Sequence, residues 1–232
     1  MHGIPAVPTP INEPILSYAP GTPERAELKA ELEAQASQVV DIPLIINGEE
    51  VRTGNTIDVV MPHSHGHILA RAHMAGAAEV RQAIDAANGA HREWSTMRWD
   101  DRVSVFLKMA DLIAGPYRAR LNAATMLGQS KNAYQAEIDA ACETIDFFRF
   151  GADFAEEIYS KQPLSDPTVW NRAEYRALEG FIYAVSPFNF TAIGANLPGT
   201  PAMMGNTSVW KPSLTALLSN YYMMQLFDEA GL

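Results

Sequence analysis

The chain has 232 residues, is 47% apolar and 19% charged, and carries a net charge of −10 at pH 7. That is enough apolar material for a sizeable core in one large domain or two small ones. Negative charge without clustered Lys or Arg excludes a phosphate-backbone binder, and no apolar run reaches the roughly 18 residues of a membrane span, so neither nucleic acid nor membrane is an expected partner.

Residues 1–23 carry Pro5, Pro8, Pro10, Pro14, Pro20 and Pro23. Proline fixes φ and removes amide donors, so this segment reads as an extended arm lying on the body. A charged helix is predicted over 23–37, with Glu24 and Glu27 in its first turn, where the dipole favours acids. The stretch 44–71 is β-rich. Asn47-Gly48 is a two-residue hairpin signal, Ile57, Val59 and Met61 alternate as in a half-buried strand, and 62–66 reads as a turn into Ile68-Leu69-Ala70.

From 77 to about 160 the pattern is helical. Val80, Ile84 and Ala87 recur at helix spacing. Asp100 or Asp101 is the expected cap of a helix bearing Val103, Phe106, Leu107, Ala110 and Ile113, ended by Gly115-Pro116. Leu121, Ala124, Thr125 and Leu127 form another helix. The longest helix is expected over 133–159, with Ile138, Ala141, Cys142, Ile145, Phe148 and Ala152 in one wide stripe.

The last third changes character. Residues 174–179 resemble one arm of a polar hairpin. A strand over 181–185 meets the loop Ser186-Pro-Phe-Asn-Phe190, and a helix over 193–204 ends at Gly205-Asn206. A second strand, 207–210, runs into Lys211-Pro-Ser213 and a helix to Glu229 closed by Gly231. This order, strand–loop–helix twice over, is the opening of a parallel α/β sheet with right-handed crossovers.

Ligands of such sheets bind at the carboxyl ends of the strands, where both loops lie. Asn189 places an amide that can stabilise an oxyanion there, and Lys211 places an ammonium within reach of a cofactor hydroxyl or phosphate. From spacing alone the plainer alternative stays open, since Asn is common in turns and Lys on surfaces. His63, His65 and His67 would share a strand face if alternation held. Pro62 and Gly66 imply a turn that breaks it, so no metal site is assigned. The single cysteine, Cys142, sits mid-helix on an apolar stripe, where burial makes a thiol inert. It excludes an intramolecular disulfide and fits a reducing compartment. The N-terminus lacks the basic start and apolar run of a secretory signal, so the cytoplasm is the expected location.

Residues 180–213, with SPFNFTAI at their centre, resemble the cofactor-domain core of aldehyde dehydrogenases, where most members have Pro-Trp-Asn-Phe. The SPFNFTAI variant, together with ATMLGQSK (124–131) and AEIDAACETIDFFRF (136–150), resembles the L-glutamate γ-semialdehyde (1-pyrroline-5-carboxylate) dehydrogenase branch. The resemblance covers nearly the whole chain. It implies an α/β fold in which a Pro-rich arm, 1–23, precedes an incomplete cofactor-binding domain, 24–232, that includes part of an oligomerisation hairpin near 163–179. The implied cofactor is NAD and the implied substrate a small-molecule aldehyde, oxidised to L-glutamate in proline degradation by what would be a homo-oligomer.

Carried onto this sequence, the resemblance makes Asn189 the oxyanion stabiliser and puts Ser186, Phe188, Lys211 and Ser213 at the cofactor. Phe190 and Glu143 become candidates for the aldehyde channel, beside their plainer readings as a core aromatic and a solvated carboxylate. Many relatives have an acid two residues beyond the Lys-Pro pair. Leu214 stands there instead, which leaves ribose binding to Lys211 and backbone groups. The family's thiolate nucleophile and its water-activating glutamate belong to segments not found in these residues. The chain thus reads as an N-terminal fragment, inactive and poorly stable alone. The alternatives are a non-catalytic interaction module or an inactive gene fragment.

Overall fold

The computed structural model describes residues 6–232; Pro5 and the rest of 1–5, the start of the expected arm, lie outside the described residues. From residue 6 the arm runs without helix or strand to α1 (Pro23–Ala36). Prolines remove several of its amides, and those that remain seek acceptors on the body. The amides of Val7, Glu13 and Leu16 donate to the carboxylates of Glu156, Asp146 and Glu137 at 2.7, 2.8 and 2.8 Å. A row of acids thus replaces the ladder that a strand partner would supply.

β1 (Val40–Ile42) pairs in parallel with β5 (Ser64–His73), and β4 (Thr56–Met61) pairs antiparallel with β5, giving the order β1-β5-β4. β2 (Leu44–Ile46) and β3 (Glu49–Val51) form the hairpin predicted at Asn47-Gly48, both residues having positive φ, 54° and 76°. That left-handed pair is what a two-residue hairpin turn requires. The turn expected over 62–66 is tighter than that. Only Pro62-His63 reverses the chain, and Gly66 lies inside β5.

Helices follow: α2 (Ala77–Thr96), α3 (Trp99–Ala114) and α4 (Arg118–Gln129). Asp100 and Asp101 do not cap α3. Arg98 is its N-cap, and both acids lie in the first turn, where Asp100 pairs with Arg98 at 2.8 Å. The helix expected over 133–159 is built in three parts: α5 (Ala133–Ala136), a π-helical turn (Glu137–Glu143) and α6 (Thr144–Ser160). Phe106, Ile113, Ile145, Phe148, Met223 and Phe227 meet in one core shared by α3, α6 and α8 (Leu217–Ala230).

Residues 174–179, read as one arm of a polar hairpin, carry no regular strand. Over 161–180 the backbone pairs only at Asp166↔Val169, and side chains tie the two limbs. Gln162 accepts from the Ala173 amide at 2.8 Å, and Tyr175 donates to the Lys161 carbonyl at 2.7 Å. Beyond it, β6 (Phe181–Val185) and β7 (Thr207–Lys211) pair in parallel, with α7 (Thr191–Met203) as the crossover. Among the described residues this sheet has two strands, and Tyr183 and Val185 are 60% and 50% exposed. Parallel sheets normally have both faces covered.

Within the π turn, Glu137 is completely buried and accepts from the Leu16 amide, the Tyr18 hydroxyl, Asn122 and the Arg118 guanidinium. Burial alone pushes its carboxyl up, but Arg118 and the Leu16 amide outweigh that and hold it below its ordinary value of 4.5. A lowered carboxyl stabilises the fold fully above the unfolded value and loses that effect as pH falls through the native one. Glu137→Gln leaves Arg118 with Glu13 as its remaining carboxylate and weakens the bonds from Tyr18, Asn122 and the Leu16 amide, at an expected cost of about 1–3 kcal/mol at neutral pH. Urea titrations of the full-length protein should show this loss shrinking at acid pH.

Candidate functional site

The site grows from a proline inside a helix. Pro198 lies in α7 and has no N–H for the carbonyl of Gly194 four residues earlier. The Ser186 hydroxyl, 6% exposed, donates to that carbonyl at 3.3 Å and accepts from the Trp210 indole N–H at 2.6 Å. One hydroxyl therefore links the end of β6, the interior of α7 and the end of β7. The Ser186 amide also donates to the Lys211 carbonyl at 3.2 Å, which continues the ladder one residue past the strand. The Ser186 side chain is occupied internally and fixes the loop rather than lining a cleft.

The loop is held in its middle too. Thr215, in the short 3₁₀ turn Leu214–Ala216, donates its hydroxyl to the Phe188 carbonyl at 2.6 Å and lies 3.2 Å from the Ser213 hydroxyl. Both strand-end loops are thereby joined. Phe188 itself stands 69% exposed.

At the far end Phe190 is the N-cap of α7 and has no side-chain acceptor for the helix's free amides. Asp139, from the π turn, supplies one. Its carboxylate accepts from the Thr191 and Ala192 amides at 3.1 and 3.0 Å and is paired with Lys131. Lys131 in turn sits 4.3 Å from the centre of the Phe190 ring. The Thr191 hydroxyl lies 2.8 Å from the hydroxyls of both Thr125 and Ser219.

Between these anchors stands Asn189, exposed, with no side-chain hydrogen bond among the described residues. Lys211 is likewise exposed and makes no ion pair among the described residues. The arrangement can present one amide donor and one cation at the carboxyl ends of two parallel strands, on a frame that does not need to reorganise. Glu143 is half-buried at the end of the π turn. Burial and the nearby Asp139 charge push its carboxyl up, with Lys131 opposing. The structure therefore brings Phe190 and Glu143 to the Lys131–Asp139 pair, and brings Ser186, Phe188, Lys211 and Ser213 to the strand ends.

Sequence reasoning missed Asp139, Lys131, Thr215 and Trp210. An aromatic residue at a helix N-cap was the available signal, because such a helix must borrow an acceptor from elsewhere. The histidines do not converge. His63 bonds Ser130 at 2.7 Å and His67 bonds the Ala36 carbonyl at 2.9 Å, and among the described residues no three metal-ligating side chains cluster. No helix among the described residues is long and apolar enough to cross a membrane.

Comparison with known proteins places this geometry. Residues 50–232 match the aldehyde dehydrogenase family. A delta-1-pyrroline-5-carboxylate dehydrogenase from Agaricus bisporus is 55% identical over 227 residues, covering 97% of this chain and 42% of that protein. A relative from Emericella nidulans, named as the mitochondrial form of the same enzyme, is 50% identical over 97% of this chain and 40% of its own length. The crystal structure of the Mycobacterium tuberculosis delta-pyrroline-5-carboxylate dehydrogenase bound with NAD superposes with a TM-score of 0.98 at 51% identity, over 100% of this chain and 44% of that one. The chain thus spans about two fifths of the length of these relatives.

Cys142 is 5% exposed, and burial pushes its thiol up to about 12, with the Glu137 charge adding and Arg118 opposing. A thiol in that state is not a nucleophile near neutrality. Peptide mapping after iodoacetamide at pH 8 should find Cys142 unmodified in the native protein and modified once urea unfolds it.

Proposed function

The chain belongs to the aldehyde dehydrogenase family, and on that premise we propose that it is the N-terminal part of an NAD-dependent enzyme oxidising L-glutamate γ-semialdehyde to L-glutamate. The observation that carries this reading is the exposed Asn189 amide, without a side-chain partner among the described residues, held on a loop that is tied at both ends and in its middle. The names of the similar proteins support the substrate, and the NAD-bound Mycobacterium structure supports the cofactor.

The residues present fit a dinucleotide. Lys211 offers an ammonium at the strand ends with no ion pair among the described residues, and Leu214 stands two residues beyond Pro212. Lys211 would hold a ribose hydroxyl or phosphate, with Phe188 and Ser213 beside it. Ser186 serves through its hold on the loop. NAD, when bound, supplies the hydride acceptor. Asn189 donates its amide N–H to the aldehyde oxygen as negative charge gathers there, and Phe190 and Glu143 line the approach of the substrate. Cys142 is too buried to attack the aldehyde, so the nucleophile and the base that activates water are supplied by other segments of the full-length enzyme.

The domain reading follows: an arm, 1–23, on a cofactor domain, 24–232, whose sheet is extended in the full-length protein. Leu164, Trp170 and Leu178, 93%, 88% and 64% exposed, support the segment near 163–179 as an oligomerisation hairpin that docks on a second copy. The cytoplasm is the proposed compartment. The mitochondrial Emericella relative makes cell fractionation the test.

In the full-length enzyme, Asn189→Ala should lower kcat by roughly 100- to 1000-fold with the affinity for NAD unchanged. Lys211→Met removes a charge-assisted contact and should weaken NAD binding by about 10- to 100-fold. The 232-residue chain on its own should form no NADH from the semialdehyde.

A further inference from the structure

The π turn Glu137–Glu143 brings Asp139 to 2% exposure against the start of α7. π turns interrupt helices rarely and often at functional sites. Here the interruption has a physical consequence, because α7 begins with an aromatic N-cap and its first amides have no local acceptor. Asp139 takes two of them, Thr191 N–H on one oxygen and Ala192 N–H on the other. It also pairs with Lys131, which lies against the Phe190 ring. Both routes end within three residues of Asn189, on its C-terminal side. On the N-terminal side the loop is held by Ser186 and Thr215. Of these anchors only Asp139 and the Lys131 it pairs with are charged, and charge-assisted bonds to a buried carboxylate are the stronger kind.

We propose that Asp139 is the positioning residue for the oxyanion donor: it fixes the start of α7 and the Lys131–Phe190 contact, and so aims the Asn189 amide at the reacting oxygen. It touches neither substrate nor NAD and acts only through Asn189. This rests on the reading of Asn189 given above. It differs from general support of the fold, because loss of Asp139 should leave the nucleotide end of the site, around Lys211, unaffected.

The test is a double-mutant cycle in the full-length enzyme with L-glutamate γ-semialdehyde and NAD. Asp139→Asn, nearly the same in shape, cannot accept on both atoms. It should lower kcat by about 10- to 100-fold, the scale expected for a displacement of about an ångström. NAD affinity, read from tryptophan quenching, should stay within about twofold of wild type. In an Asn189→Ala background the same change should cost less than about threefold, because its target is already gone. Asp139→Glu keeps the charge but moves the oxygens, and provides a second arm should Asp139→Asn not fold; it should lower kcat with the thermal midpoint preserved. Losses that multiply across the cycle, or a folded Asp139 variant with wild-type kcat beside an impaired Asn189→Ala enzyme, overturn this inference alone. An Asn189→Ala enzyme with unchanged kcat, or a wild type that forms no NADH, overturns the functional reading and this inference with it.

Discussion

Carboxylates carried into the interior must be met by donors or cations, and the turn at 137–143 carries in two of them. Glu137 and Asp139 lie two residues apart and face different neighbourhoods. Glu137 gathers Arg118, Asn122, Tyr18 and the backbone of the arm. Asp139 gathers Lys131 and the first amides of α7. One short segment therefore holds the N-terminal arm to the body on one side and the start of α7, where the strand-end loop finishes, on the other. An uninterrupted α-helix would set its faces differently beyond residue 137, and Glu143 would not reach the same neighbourhood.

The strand-end loop depends on a second constraint of the same kind. Pro198 strips a hydrogen bond from α7, and the Ser186 hydroxyl restores it while accepting from Trp210. A residue recognised from its loop as a cofactor contact turns out to have its side chain committed inside the protein. The exposed groups nearby, Asn189 and Lys211, have no side-chain partner among the described residues, while the Ser186 and Ser213 hydroxyls and the Phe188 carbonyl beside them are already bonded. Preorganisation here consists of a loop tied at Ser186, Phe188 and the start of α7 around side chains left free to meet a ligand.

Much of the fold was legible locally. The Asn-Gly hairpin, the proline arm and the two parallel strands with their crossover follow from turn chemistry, missing amides and apolar runs. These signals act over a few residues, and the structure keeps them. What failed was also local in appearance. The aspartates before α3 resembled caps, yet Arg98 takes that position and the acids serve the helix dipole from within the first turn. The polar limb before β6 is tied to its opposite limb through side chains, Gln162 with the Ala173 amide and Tyr175 with the Lys161 carbonyl, which no period-2 pattern announces.

By itself the sequence determined the family resemblance, the order of most strands and helices though not β1 or the π turn, the buried cysteine and the placing of Asn189 and Lys211 at strand ends, because each depends on short-range pattern or on motif. Only the tertiary structure decided which polar groups remain free. Asp139 lies some fifty residues from the amides it caps, Trp210 lies 24 residues from Ser186, and Glu137 meets an arm about 120 residues earlier in the chain. Periodicity carries no record of pairings at that distance. They are fixed by the requirement that buried charges and orphaned backbone groups find partners, and that requirement can be met only once the elements are packed.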